Sequence, residues 1–148
     1  MDPLTEQLKG FLNALGCMNN DTDRSSDYFI EKLSTTHSII ESLSGYYQSR
    51  APQHPVEYWH PKLQAIDFKS LLKEANRWFF EAKAMSDLPD KIKNQIMSEF
   101  EDHIISMTIR PKFYELISSP PIWYGNLHTE FIIESECGIY LLHFSCHD

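Results

Sequence analysis

The sequence is poor in the residues that small-molecule chemistry usually needs. Its five glycines, at 10, 16, 45, 125 and 138, never cluster, so no glycine-rich loop is available to cradle a phosphate. GxSxG, HExxH and Walker patterns are absent as well, which excludes the common hydrolase, zinc-protease and nucleotide signatures. Three cysteines (Cys17, Cys137, Cys146) form an odd set without a CxxC, a count that suits reduced thiols better than a disulfide scaffold. No apolar run approaches the roughly 20 residues that span a bilayer. The early apolar stretch FLNALG follows an acid and is too short for a secretory h-region. The expectation is a cytoplasmic protein with no membrane contact, no cofactor and no metal.

Basic charge is the other shortage. Thirteen Lys and Arg face twenty-one Asp and Glu, a formal charge of −8, and no base follows Lys112. Such a field repels nucleic acid, whose binding draws on counterion release by Lys and Arg, and attracts a basic protein or a small cation.

What the chain does contain is enough apolar and aromatic material, 42% and 13%, for one globular domain over 1–148. Leu4, Leu8, Phe11, Leu12 and Leu15 recur at helical spacing, with Gly16 placed as a C-cap. A second helix is expected over 28–48, with Phe29, Leu33, His37, Ile40, Leu43 and Tyr47 on its stripe. Asp67 can cap a third, whose apolar face is Phe68, Leu71, Leu72, Ala75, Trp78, Phe79 and Ala82. Along another side of it, Lys69, Lys73 and Arg77 line up at four-residue steps, a row that could touch an anion but is more often a solvated face. A fourth helix starts near SDLPD, capped by Asp87, and turns Ile92, Ile96, Phe100, His103 and Met107 inward; KFYELISS adds two further turns. After Pro120-Pro121 the texture becomes β-branched and aromatic. EFIIES and IYLLHFS read as two strands joined at Cys137-Gly138, opposing Ser135 to Tyr140, Ile133 to Leu142 and Phe131 to Phe144. The fold class expected is α+β, mostly helical, with four or five helices and a C-terminal antiparallel hairpin.

Three groups of histidines were candidates for chemistry. HPVEYWHP, residues 54–61, holds His54, Glu57 and His60, but Pro55 and Pro61 forbid the helix on which an ExxH pair shares a metal. It reads as a stiff connector pinned to the core by Tyr58 and Trp59. His37 and His103 fall on apolar stripes, each one turn from a glutamate (Glu41, Glu99), with no Ser, Cys or third acid placed to complete a relay. His143, Cys146 and His147 near the end of the chain could catch a metal only adventitiously.

The remaining asymmetry lies in the last third. On the hairpin, Phe131, Ile133, Tyr140, Leu142 and Phe144 belong to the core, while the other face mixes acid and apolar groups. Glu130, Ile132, Glu134, Glu136, Leu141 and His143, with Trp123 and Tyr124 nearby, are the expected partner-binding residues. Carboxylates there would speed association and aromatics would hold the complex.

A compact acidic domain without enzyme motifs, ending in the hairpin EFIIESECGIYLLHF, resembles as a type the immunity proteins of bacterial toxin systems such as contact-dependent growth inhibition. The resemblance implies a stoichiometric inhibitor that fills the cleft of a cognate toxin, often a basic nuclease, with carboxylates where phosphates would bind. It carries over no residue by position. Two alternatives stand beside it: a small hydrolase built on His37, His103 and the HPVEYWHP corner, and an acidic regulatory or adaptor protein.

Overall fold

Leucines at 8, 12 and 15 point one way from the first helix, α1 (Pro3–Met18), and are buried. The structure, a computed structural model, describes residues 2–34, 38–122 and 127–147, apart from the side chain of Lys83. Asp2 caps α1 by accepting from the Leu4 and Thr5 amides. The helix ends at Asn19, two residues beyond the cysteine that follows Gly16. Gly16 serves another purpose, because a Cβ there would lie 3.4 Å from Ser26 O and 3.6 Å from Tyr28 N. Its bare backbone lets α1 lie against strand β1 (Ser25–Leu33).

That strand overturns the expected helix over 28–48. Phe29 and Leu33 are four residues apart, an even offset that shares a face in a strand as well as in a helix. In the fold Tyr28 and Ile30 enter one core and Leu33 the other. Only the second half is helical: α2 (Ile39–Arg50) is capped by Ser38, whose hydroxyl accepts from Glu41 N. A 3-10 turn follows at Val56–Trp59 within the connector, then β2 (Lys62–Ile66), a strand the sequence did not signal. The third helix, α3 (Phe68–Phe80), is capped by Asp67 as its sequence signals. A single turn, α4 (Lys83–Ser86), precedes α5 (Asp90–Met107), which starts after Pro89 and buries Phe100, Ile104 and Met107. Ile92 stays 41% exposed and Ile96 only partly covered, so α5 meets the core chiefly with its second half. KFYELI forms β3 (Lys112–Ile117), not helical turns, because it finds strand partners on both sides.

The hairpin is present as β4 (Leu127–Ser135) and β5 (Gly138–His147), but within a larger antiparallel sheet of order β1-β5-β4-β3-β2. A five-stranded sheet is therefore the centre of the molecule, and the expectation of a mostly helical fold with an appended hairpin is corrected to that extent. The turn falls at Glu136-Cys137, and Ser135 opposes Gly138, Ile133 opposes Tyr140 and Phe131 opposes Leu142. This is a two-residue slip from the expected register. Because side chains alternate with period two, the slip preserves the faces while changing every cross-strand neighbour.

The two faces of the sheet carry separate cores. On one side α1, α3 and α5 cover Phe131, Ile133, Tyr140, Leu142 and Phe144, the residues expected to be buried. Asn19 ties these layers together, donating to Tyr28 Oη at 3.0 Å and to Phe79 O at 3.1 Å, while Tyr28 Oη donates to Trp78 O at 2.7 Å. On the other side α2 and the 3-10 turn lay Leu43, Tyr47 and Trp59 over Leu116, Ile132, Ile139 and Leu141. That second cover decides the fate of the expected interface.

Candidate functional site

Glu130, Ile132, Leu141 and His143 project from the sheet face beneath α2, and each is at most 1% exposed. They form no surface that a partner could touch. The reason is that the oily positions of this face attract a cover of their own, α2 and the 3-10 turn. Glu134 is half-buried, within 3.5 Å of the Tyr114 hydroxyl, and Glu136 lies in the exposed turn, 3.3 Å from Arg110. Trp123, Tyr124 and His37 lie outside the described residues.

Burial assembles something else. His143 Nδ1 is 3.0 Å from Glu130 Oε2, and its Nε2 is 2.8 Å from Ser145 Oγ. Acid, imidazole and hydroxyl thus stand in relay order on neighbouring strands. The observed register makes this possible by placing Glu130 directly opposite His143, whereas the expected register would have opposed it to Ser145. Phe29 lies flat on the imidazole, centroids 4.4 Å apart at 13°. The Tyr47 hydroxyl is also in this layer, and burial, reinforced by the Glu130 charge, pushes it well above the ordinary tyrosine value. The relay is sealed: Glu130, His143 and Ser145 are 1%, 1% and 2% exposed. Groups so enclosed can orient one another and pin the sheet, but they cannot meet a substrate without displacement of the side chains that cover them, Phe29 among them.

The other histidines do not converge. In HPVEYWHP, Trp59 is fully buried and stacked on Tyr47 with centroids 4.2 Å apart, whereas Tyr58 is 56% exposed. The connector is therefore pinned by the tryptophan alone. His54 is half-buried, and His60 is exposed in a left-handed conformation that ends the 3-10 turn. His103 packs its ring against Phe11 at 5.1 Å. Cys146 faces the opposite side of β5 from His143 and His147, as strand alternation requires. Among the described residues no three His, Cys, Asp or Glu side chains come together as metal ligands.

Two of the open concave features among the described residues carry candidate chemistry. One is a groove between β1 and α2, about 540 Å³, lined by Asp27, Phe29, Glu31, Tyr46, Ser49 and Arg50. Phe29 separates it from the sealed relay. The second, about 370 Å³, lies where α3, the turn before β1 and the start of β4 meet. His128 lines it, half-enclosed, and burial lowers its pKa from the ordinary histidine value. Sequence reasoning missed the groove because 28–48 read as one helix, and the second recess because its walls come from elements distant in the chain. The one local signal was the alternation Asp27, Phe29, Glu31, which becomes visible once 25–33 is recognised as a strand.

Architecturally the chain is an α+β protein whose antiparallel sheet is covered by helices on both faces. No family model and no curated relative matches its sequence. Its fold is similar to that of citrus MAF1 in two crystal forms, with TM-scores of 0.55 and 0.58 at 13% and 12% identity. Each comparison covers 97% of this chain and 98% of the other. Likeness at such identity concerns the fold alone. Among the described residues no helix is long and apolar enough to cross a membrane.

Proposed function

We propose that this protein is an acidic cytoplasmic binding protein whose partner is a basic protein, which it neutralises stoichiometrically in the manner of immunity proteins against nuclease toxins. The observation that carries this proposal is the β1–α2 groove, where two carboxylates flank two aromatic rings. Asp27 is exposed, Glu31 is part-exposed, and Phe29 and Tyr46 are half-buried walls. This is the acid-and-aromatic chemistry expected of the hairpin, displaced to the neighbouring edge strand. Carboxylates on the rim steer a cationic side chain, and the rings hold its aliphatic stem or its guanidinium face. Glu31 already pairs with Lys9 at 3.5 Å and Arg50 lines the groove, so an incoming lysine or arginine must compete with these cations. The remaining surface charge supports the same choice of partner, at −8 for the chain.

The proposal is tested with a fluorescently labelled arginine-rich peptide as probe, followed by anisotropy and stopped flow. Reversing both acids (Asp27→Lys, Glu31→Lys) should slow association by about tenfold at low salt and flatten its salt dependence. A control with the same change in net charge, Glu99→Lys with Asp102→Lys on the exposed side of α5, should keep most of the groove's on-rate. Equal losses in the two double variants would remove the groove from the interface and leave only a diffuse charge effect. Of the groups the hydrolase alternative named, His103 packs on Phe11 and His37 lies outside the described residues, while a hydrolase built instead on Glu130, His143 and Ser145 has their enclosure against it.

A further inference from the structure

We propose that the recess between α3, the turn before β1 and the start of β4 binds a small organic monocarboxylate, a site independent of the β1–α2 groove. The chain has four arginines, and two of them, Arg24 and Arg77, line this one recess. They arrive from different elements, Arg24 from the loop ahead of β1 and Arg77 from the C-terminal half of α3. Arg77 is held in place by its own helix, with Nη1 3.0 Å from Glu74 and Nε 3.3 Å from Glu81. Those two contacts occupy only part of a five-donor guanidinium and leave N–H groups for a planar, two-oxygen acceptor. The Arg24 Nε is buried without an acceptor, so that guanidinium has given up water along one edge with no protein oxygen in exchange. A carboxylate in the recess would meet the terminal Nη groups of the same guanidinium, while its Nε–H stays enclosed. His128 adds an imidazole wall whose pKa burial lowers from the ordinary histidine value.

The rest of the lining selects among anions. Glu74 and Glu81 stand on the rim and penalise a dianion more than a single negative charge, which disfavours phosphate and favours carboxylate. Trp78 is half-buried, and Leu127 is 65% exposed at the opening, so an apolar body attached to the carboxylate has somewhere to lie. The volume, about 370 Å³, falls within the range of small-ligand pockets. A free aromatic acid and the C-terminus of a peptide share this chemistry.

The experiment is a titration of the isotopically labelled full chain, followed by NMR, with hippurate, its neutral amide and inorganic phosphate as probes. Hippurate should shift the Trp78 indole N–H and the Arg24 Nε–H saturably, about tenfold or more tighter than the amide and tighter than phosphate. Arg24→Gln and Arg77→Gln should each weaken hippurate by about tenfold or more while the spectrum keeps its native dispersion. If Arg24→Gln loses dispersion, Arg77→Gln decides alone. A short peptide ending in phenylalanine, with free or amidated C-terminus, separates the sources: binding of the free form at least as tight as hippurate points to a chain terminus, weaker binding to a free acid. No saturable shift, equal binding of the amide, phosphate binding tighter than hippurate, or undiminished binding by the folded arginine variants would overturn the proposal.

Discussion

Replacing Trp59 by alanine should be among the most damaging single changes in this protein, and its neighbour Tyr58 among the least. The indole is 0% exposed and stacks on Tyr47 at 8° between ring planes. A buried tryptophan removes about 200–250 Å² from water, worth about 5–6 kcal/mol at 25 cal/mol per Å². The unfolded chain already hides part of that area, which brings the expected loss to about 3–5 kcal/mol once the cavity is included. The same side chain holds the 3-10 turn against the sheet, where Ser119 N donates to Trp59 O at 2.6 Å. A loss of this size approaches the whole stability of a typical domain, so Trp59→Phe is measured beside it to keep a folded baseline. Urea unfolding followed by far-UV circular dichroism reads both variants against wild type. Tyr58→Ala, at a 56% exposed site, should move stability by no more than about 0.5 kcal/mol. A Trp59→Ala loss below about 1 kcal/mol, or a Tyr58→Ala loss equal to it, would refute the assignment of the second core to this ring.

Removing the Glu130 carboxylate takes one hydrogen-bond partner from the buried His143 ring, so Glu130→Ala should cost about 1–3 kcal/mol in urea unfolding, and adding His143→Leu should recover part of it. Alkaline pH should destabilise the fold. Burial raises the Tyr28 and Tyr47 hydroxyls above the ordinary 10.0 in the native state, so their contribution is full below that value and is lost as pH climbs from there. Tyr47→Phe should flatten the fall in urea midpoint between neutral and strongly alkaline pH; an unchanged slope would deny the tyrosine its place there. Gly138 sits at φ +150° with room for a Cβ only if Lys32 Cε, 2.7 Å away, retreats. The lysine tip can move but the backbone cannot, so Gly138→Ala should cost about 1–3 kcal/mol by thermal or urea unfolding.

Local signals were read where a segment decides its own structure. Helix α3 was legible because Asp67 supplies a cap and Leu71, Ala75 and Phe79 repeat at helical spacing with no competing pattern. The core face of the hairpin was legible for a similar reason, since alternation along EFIIES and IYLLHFS assigns faces whatever the register. Strands β1, β2 and β3 were not. Segments such as SSDYFIEKL and KFYELI fit a strand only when a neighbour supplies the other half of each hydrogen-bond ladder, and for β1 and β2 that neighbour lies far away in the chain.

The candidate sites divide along the same line. Acidic character, the lack of nucleotide motifs and the two faces of the hairpin follow from residue identity and period, properties that each stretch carries by itself. Which hairpin face meets solvent does not, because exposure is a relation between elements: α2 and Trp59 fold over Ile132 and Leu141 and turn an expected interface into a core. The partner of His143 was likewise set by register, since a two-residue slip at the Glu136-Cys137 turn brings Glu130 opposite it instead of opposite Ser145. Charge and periodicity are written locally in this chain, whereas burial and cross-strand pairing arise only when distant segments compete for the same sheet.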